Sequence, residues 1–294
     1  LLNSRFHLDL VIFSTFFSIL FCALCVFVDS LLGFWVFLEL MGLSLVPCFF
    51  FTSACNAYNF YNSLLTYLIM SGVSSVFLVS GILFYDLYLF VLIGFIIKLG
   101  LFPFVFWVYR VFSSCNWFFI FLLSVVCKFP VLIFCFLLQQ LNLGYTLLYI
   151  DCCLTIIFCG LAFWFYSASL NYVWCHISLS SISTLLVGCF CSDAFICFFV
   201  YGYYLVWSGV SILFLSNLST EVGVKFNFWI YCFLFLITPL SLPLFYKLSV
   251  CFAIIYSSFF VLFIWGLYSF SEQFFLYKLG SDCYYTGVYN GWSC

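Results

Sequence analysis

Four ionisable side chains lie inside long apolar runs: Glu39 in Phe34-Trp35-Val36-Phe37-Leu38-Glu39-Leu40, Lys98 in Phe95-Ile96-Ile97-Lys98-Leu99, Lys128 in Val125-Val126-Cys127-Lys128-Phe129, and Lys247 in Leu244-Phe245-Tyr246-Lys247-Leu248. The five prolines of the chain, Pro47, Pro103, Pro130, Pro239 and Pro243, all fall within eight residues of one of these charges. A charge held in hydrocarbon costs roughly 2.5–3.5 kcal/mol on insertion scales, so four of them in one chain point to an ion path. The chemistry open to these residues is proton transfer. Burial disfavours the charged form of a lysine and a nearby carboxylate favours it, so a Glu-Lys pair can act as a switch, with Glu39 and Lys98 the obvious pair.

A proline beside a buried lysine breaks the helix ladder and frees carbonyls that can hold water or a cation. Pro103 follows Lys98 by five residues and Pro130 follows Lys128 by two. Gly94 and Gly100 flank Lys98, where the absence of side chains is expected to leave room for water. Ser71, Ser74 and Ser75, together with Ser178, Ser180, Ser181, Ser183 and Thr184, are candidate linings of the same wet axis, and His176 is a candidate relay. Each feature also has a structural reading. Charges form ion pairs or snorkel to the surface, serines pack helices, and His176 and His7 suit hydrogen-bonded interfacial or terminal positions. Lys247 lies near the junction of two expected spans and is the least secure of the four charges.

The elements that must position these groups are membrane helices. The chain has 294 residues, 68% of them hydrophobic and 5% charged, with a mean hydropathy of +1.32. That composition has too little polar surface to cover a water-soluble globule. Apolar runs of about 20 residues recur along the whole length, each enough to cross a bilayer, and strict two-residue alternation is missing. The fold expected is all-α, a polytopic transmembrane bundle of about ten helices with Pro-broken helices. Spans are expected at 10–28, 31–51, 63–84, 87–109, 116–138, 145–166, 173–192, 194–216, 226–247 and 249–270. A single transmembrane domain covers 1–270, and 271–294 form a C-terminal tail.

Alternating loops place Arg5, Arg110, Lys225 and Lys278 on one face, and Asp29, Asp86, Asp193 and Asp151 on the other. By the positive-inside rule the N-terminus and the tail face the matrix or cytoplasm. No basic cluster suggests nucleic acid. Cys22-Ala23-Leu24-Cys25 has no second pair or nearby His and is not read as a metal site. The 46 Phe, 18 Cys and 21 Tyr look like the output of a T-rich coding strand, a bias that animal mitochondrial genomes can show. The Leu1 start reads as a non-standard or incomplete N-terminus, and no cleavable signal or transit peptide is visible.

The segment from Trp35 through Glu39 to Pro47 resembles the Trp-x-Gly-Leu-Glu…Pro stretch of the NADH-ubiquinone oxidoreductase chain 2 family, the mitochondrial antiporter-like subunits of respiratory complex I. Lys98-Leu99-Gly100-Leu101-Phe102-Pro103-Phe104-Val105-Phe106-Trp107 is similar to that family's Lys-x-Gly-x-x-Pro-Phe-His-Phe-Trp, Lys128-Phe129-Pro130 to its Lys-x-x-Pro or Lys-x-Pro stretch, and Ser180-Ser181-Ile182-Ser183 to its Ser-Ser-Ile. Order and spacing hold from about residue 10 to 270. The resemblance implies that Glu39 and Lys98 are the family's glutamate-lysine pair, Lys128 its central lysine, and Lys247 its lysine in a late broken helix. His176, Ser180, Ser181 and Thr184 would be relay candidates.

It further implies a proton-translocating membrane-arm subunit of the mitochondrial inner membrane, part of an H+-translocating NADH:ubiquinone reductase. Its partners would be other membrane-arm subunits and lipids. No cofactor or metal would be bound by this chain; NADH, flavin, iron-sulfur clusters and ubiquinone belong to other subunits. The family's animal members lack three N-terminal helices found in bacterial relatives, which fits ten spans. Departures bear on how the lysines connect: Val105 replaces the histidine between two aromatics, Tyr109-Arg110 a Pro-Glu, Thr184 a histidine, and Cys175 a basic residue, with His176 beside it as its candidate substitute. The alternatives are a free-standing cation/proton antiporter and a structural membrane-arm protein.

Overall fold

The computed structural model describes residues 2–51, 57–84, 89–140, 146–220 and 227–284. Asp86 and Lys225, and the side chains of Arg5 and His7, lie outside what is described. Every described regular element is helical: α1 (Leu2–Leu24), α2 (Leu31–Ser44), α3 (Ala57–Leu83), α4 (Leu89–Leu99), α5 (Val105–Ser114), α6 (Trp117–Ser124), α7 (Phe129–Gln140), α8 (Thr146–Phe165), α9 (Leu170–Cys191), α10 (Ala194–Thr220), α11 (Phe228–Phe235), α12 (Leu242–Ile254) and α13 (Phe259–Tyr284), with short 3-10 turns between some of them. Hydrocarbon leaves no other solution for an open chain, because a helix satisfies its own backbone groups. Among the described residues, eight helical segments are long and apolar enough to span a membrane, α6 and α7 being joined as one. The protein is a multi-pass helical membrane bundle. If α4–α5, α6–α7 and α11–α12 each count as one interrupted passage, the described helices make ten passages.

α9 is the axis of the bundle. Every residue from Val173 to Cys189 is buried, although the helix is rich in serine. Small side chains let neighbours approach closely, and each hydroxyl is satisfied within the helix, Ser178 and Ser181 donating to the carbonyls of Cys175 and Ser178 at 3.0 and 2.7 Å. Around α9 pack α5, α7, α8, α10 and α12, while α3 lies along α4. Large apolar side chains point outward, Phe195, Trp229 and Phe260 among them, as lipid contact requires.

The breaks come where the prolines demand them. α4 ends in a Schellman turn: Gly100 has φ +69°, its N–H reaches the Ile97 carbonyl, and the Leu101 N–H reaches that of Ile96, each at 3.1 Å. Pro130 has no N–H to offer Val126, whose carbonyl instead accepts from Phe129 N–H and, at 3.6 Å, from the Cys22 thiol. Pro239 lies between α11 and α12 and Pro243 in the first turn of α12, and neither has a backbone N–H to donate. Gln273 of α13 spans the gap, accepting from Ile237 N–H at 2.9 Å and donating to the Phe235 carbonyl at 3.3 Å.

Two sequence expectations change. The two last spans shift: the ninth is broken across 236–241, α12 carries on to Ile254 and α13 begins at Phe259. Lys247 therefore sits inside α12, away from a span junction. The helix also continues through 271–284, which the sequence assigns to a tail, while 285–294 lie outside the described residues. Hydropathy windows smooth over a break flanked by apolar residues and stop at the polar Ser269-Phe270-Ser271-Glu272-Gln273 stretch.

Candidate proton-transfer site

Glu39, in the middle of α2, meets Lys98 in the last turn of α4 as a direct ion pair between Oε1 and Nζ. The Schellman turn ends α4 one residue beyond Lys98, so the ammonium also lies at the negative end of that half-helix. Both glycines that flank Lys98 act differently from the expectation that they make space for water. A Cβ on Gly94 would come within 2.9 Å of the Leu78 nitrogen and the Ser74 carbonyl, so this glycine lets α3 and α4 touch backbone to backbone. A Cβ on Gly100 would lie 2.2 Å from Val108 Cγ2. The Ile97 carbonyl, already accepting from Gly100 N–H, also accepts from the Trp107 indole N–H at 3.0 Å.

Lys128 lies in the 3-10 turn between α6 and α7 and is 1% exposed. Among the described residues no carboxylate pairs with it. Its Nζ donates to the Ser178 carbonyl at 2.8 Å, to Ser181 Oγ at 2.5 Å and to Tyr204 OH at 2.7 Å, and it sits 4.1 Å from the centre of the Tyr204 ring. Three donors meet three acceptors, the full demand of an ammonium group. The carbonyls opened by the α6–α7 break are also engaged, Val125 by Tyr201 OH at 3.1 Å and Ser124 by Tyr204 OH at 3.3 Å.

Lys247 pairs with Glu272 of α13 at 2.8 Å and donates to Ser269 Oγ at 3.0 Å. Their side chains are 11% and 4% exposed, so the pair is more enclosed than Glu39–Lys98 at 21% and 15%. Sequence reasoning missed Glu272 because it lay beyond the expected last span. The available signal was the apolar run Phe274-Phe275-Leu276-Tyr277 after it, which carries the span onward.

Two cavities lie beside these centres. The larger, about 70 Å³, is lined by Lys98 and Lys128 and by the polar groups of Tyr67, Ser71, Ser124 and Ser178. The smaller, about 20 Å³, is lined by Lys247, Glu272, Ser180, Ser181, Thr184 and Tyr268, among others. Ser180 Oγ also hydrogen-bonds Tyr268 OH at 2.6 Å. Thus three of the sequence-singled hydroxyls and the late lysine share one chamber. Ser71 and Ser178 share the other; Ser74 and Ser75 line neither and donate to carbonyls of their own helix.

His176 is placed apart. It is wholly buried rather than interfacial, and its Nδ1 contacts Tyr109 OH, the residue standing where the resemblance expected a proline. Its ring packs 4.9 Å from that of Phe163, its Nε2 has no hydrogen-bond partner among the described residues, and it lines neither cavity.

No family model matches the sequence, and no curated protein matches it. Among solved structures, a chain of respiratory complex I from Thermus thermophilus, determined with bound aureothin, is similar with a TM-score of 0.72 and 17% identity, over 94% of this chain and 70% of its own length. At that identity the likeness is one of fold.

Proposed function

We propose that this chain is a proton-translocating membrane-arm subunit of respiratory complex I, the antiporter-like chain 2 of the mitochondrial NADH:ubiquinone reductase, and that it holds no redox centre of its own. One observation carries the reading. Two largely enclosed glutamate-lysine pairs accompany a fully buried, caged lysine; one cavity is lined by Lys98 and Lys128 together, another by Lys247 and Glu272, and Ser181 of the second cavity also holds Lys128. Similarity of fold to a complex I chain supports the assignment to that assembly.

In this mechanism, quinone chemistry elsewhere in the complex changes the charge balance at Glu39–Lys98. The larger cavity has room for several waters and lets Lys98 and Lys128 exchange a proton. Lys128 then communicates with Lys247, and a change at Lys247–Glu272 releases the proton. The chain sits in the mitochondrial inner membrane with its N-terminus in the matrix. Native-gel separation of gently solubilised membranes tests the assignment. The chain is expected to co-migrate with a very large NADH-oxidising assembly; free migration would instead favour a free-standing antiporter.

A further inference from the structure

Lys128 has three acceptors, and they are not equivalent. The Ser178 carbonyl has no proton to give. Tyr204 OH turns toward the Ser124 carbonyl at the α6–α7 break, and Tyr204 lines neither cavity. Ser181 alone among the three residues both holds the Lys128 Nζ, at 2.5 Å, and lines the chamber containing Lys247 and Glu272. Its own hydroxyl proton is held by the Ser178 carbonyl at 2.7 Å, the same carbonyl that accepts from Lys128.

Resting on the reading of Lys128 as a proton carrier, we propose that Ser181 is the hydroxyl through which Lys128 passes a proton to the Lys247–Glu272 chamber. An N–H bond of the Lys128 ammonium breaks as an O–H bond forms on Ser181. The original Ser181 proton leaves its contact with the Ser178 carbonyl and passes to a water in the chamber, and from there to the Lys247 amine or the Glu272 carboxylate. Lys128 is left as a neutral amine with two donors and one lone pair. The rotated Ser181 or Tyr204 hydroxyl then donates to that lone pair, which resets the cage without moving the backbone. A chamber of about 20 Å³ accommodates about one water, enough for a single bridging step.

The test compares Ser181→Ala, Ser181→Thr and Lys128→Met in membrane vesicles carrying the full chain in its assembly, with the amount assembled measured on native gels and proton uptake measured per NADH oxidised. Ser181→Ala should lower uptake per NADH to the level of Lys128→Met at normal assembly, whereas Ser181→Thr, which keeps the hydroxyl, should stay at the level of the parent. Normal uptake in Ser181→Ala, alongside a loss in Lys128→Met, overturns the proposal and leaves the functional reading standing. An equal loss in Ser181→Thr and Ser181→Ala assigns Ser181 a packing role and also overturns it. Normal uptake in Lys128→Met removes the functional reading itself.

Discussion

Lys247 and Glu272 show how one residue's meaning depends on another that sequence hides. Alone, Lys247 reads as a charge near a span junction; opposite Glu272 it becomes half of a buried pair. Removing one partner of such a pair strands a charge in a low dielectric and costs about 3–5 kcal/mol, whereas removing both can be nearly neutral. Lys247→Met should therefore reduce the thermal stability of the detergent-solubilised protein more than the double variant Lys247→Met/Glu272→Gln does. Proton uptake should be low in both. Equal stability losses in single and double variants would mean that the two groups do not pair. Glu39, Lys98 and Lys128 were legible from the sequence because a charge in an apolar run stands out. Tyr204 was not, since one tyrosine among 21 carries no mark of which lysine it meets.

At the scale of elements, the prolines foretold where helices break, and the breaks put Lys98 at the end of α4 and Lys128 between α6 and α7. What sequence could not supply was who satisfies the opened backbone. Trp107, Tyr201, Tyr204, Cys22 and Gln273 all arrive from distant parts of the chain, and they occupy carbonyls that had been expected to hold water or a cation. The glycines beside Lys98 were misread for a related reason: spacing cannot tell an empty space from a close helix contact. Gly94 and Gly72 make a matched pair on this point. A Cβ at Gly94 meets α3 backbone at 2.9 Å, while one at Gly72 meets nothing within 4 Å. Gly94→Ala should destabilise the bundle by roughly 1–3 kcal/mol, and Gly72→Ala should be neutral or slightly stabilising. Thermal unfolding in detergent distinguishes them, and equal effects would show that α3 and α4 do not touch there.

For the molecule as a whole, composition dictated the membrane bundle, and apolar runs of the right length marked its helices; eight described segments are long enough to span, and the others are interrupted passages. The burial of α9 at the centre was not legible, because its serines gave it the appearance of a helix with one wet side. Packed on all sides, that helix instead supplies Ser178 and Ser181 to Lys128 and Ser180, Ser181 and Thr184 to the Lys247–Glu272 chamber. The central claim is that protons cross this bundle by way of Lys128. Its most direct test is the ratio of protons translocated to NADH oxidised in membranes carrying Lys128→Met, with assembly verified on native gels. The account predicts a lowered ratio at an unchanged amount of assembled complex; a ratio equal to that of the parent would contradict it.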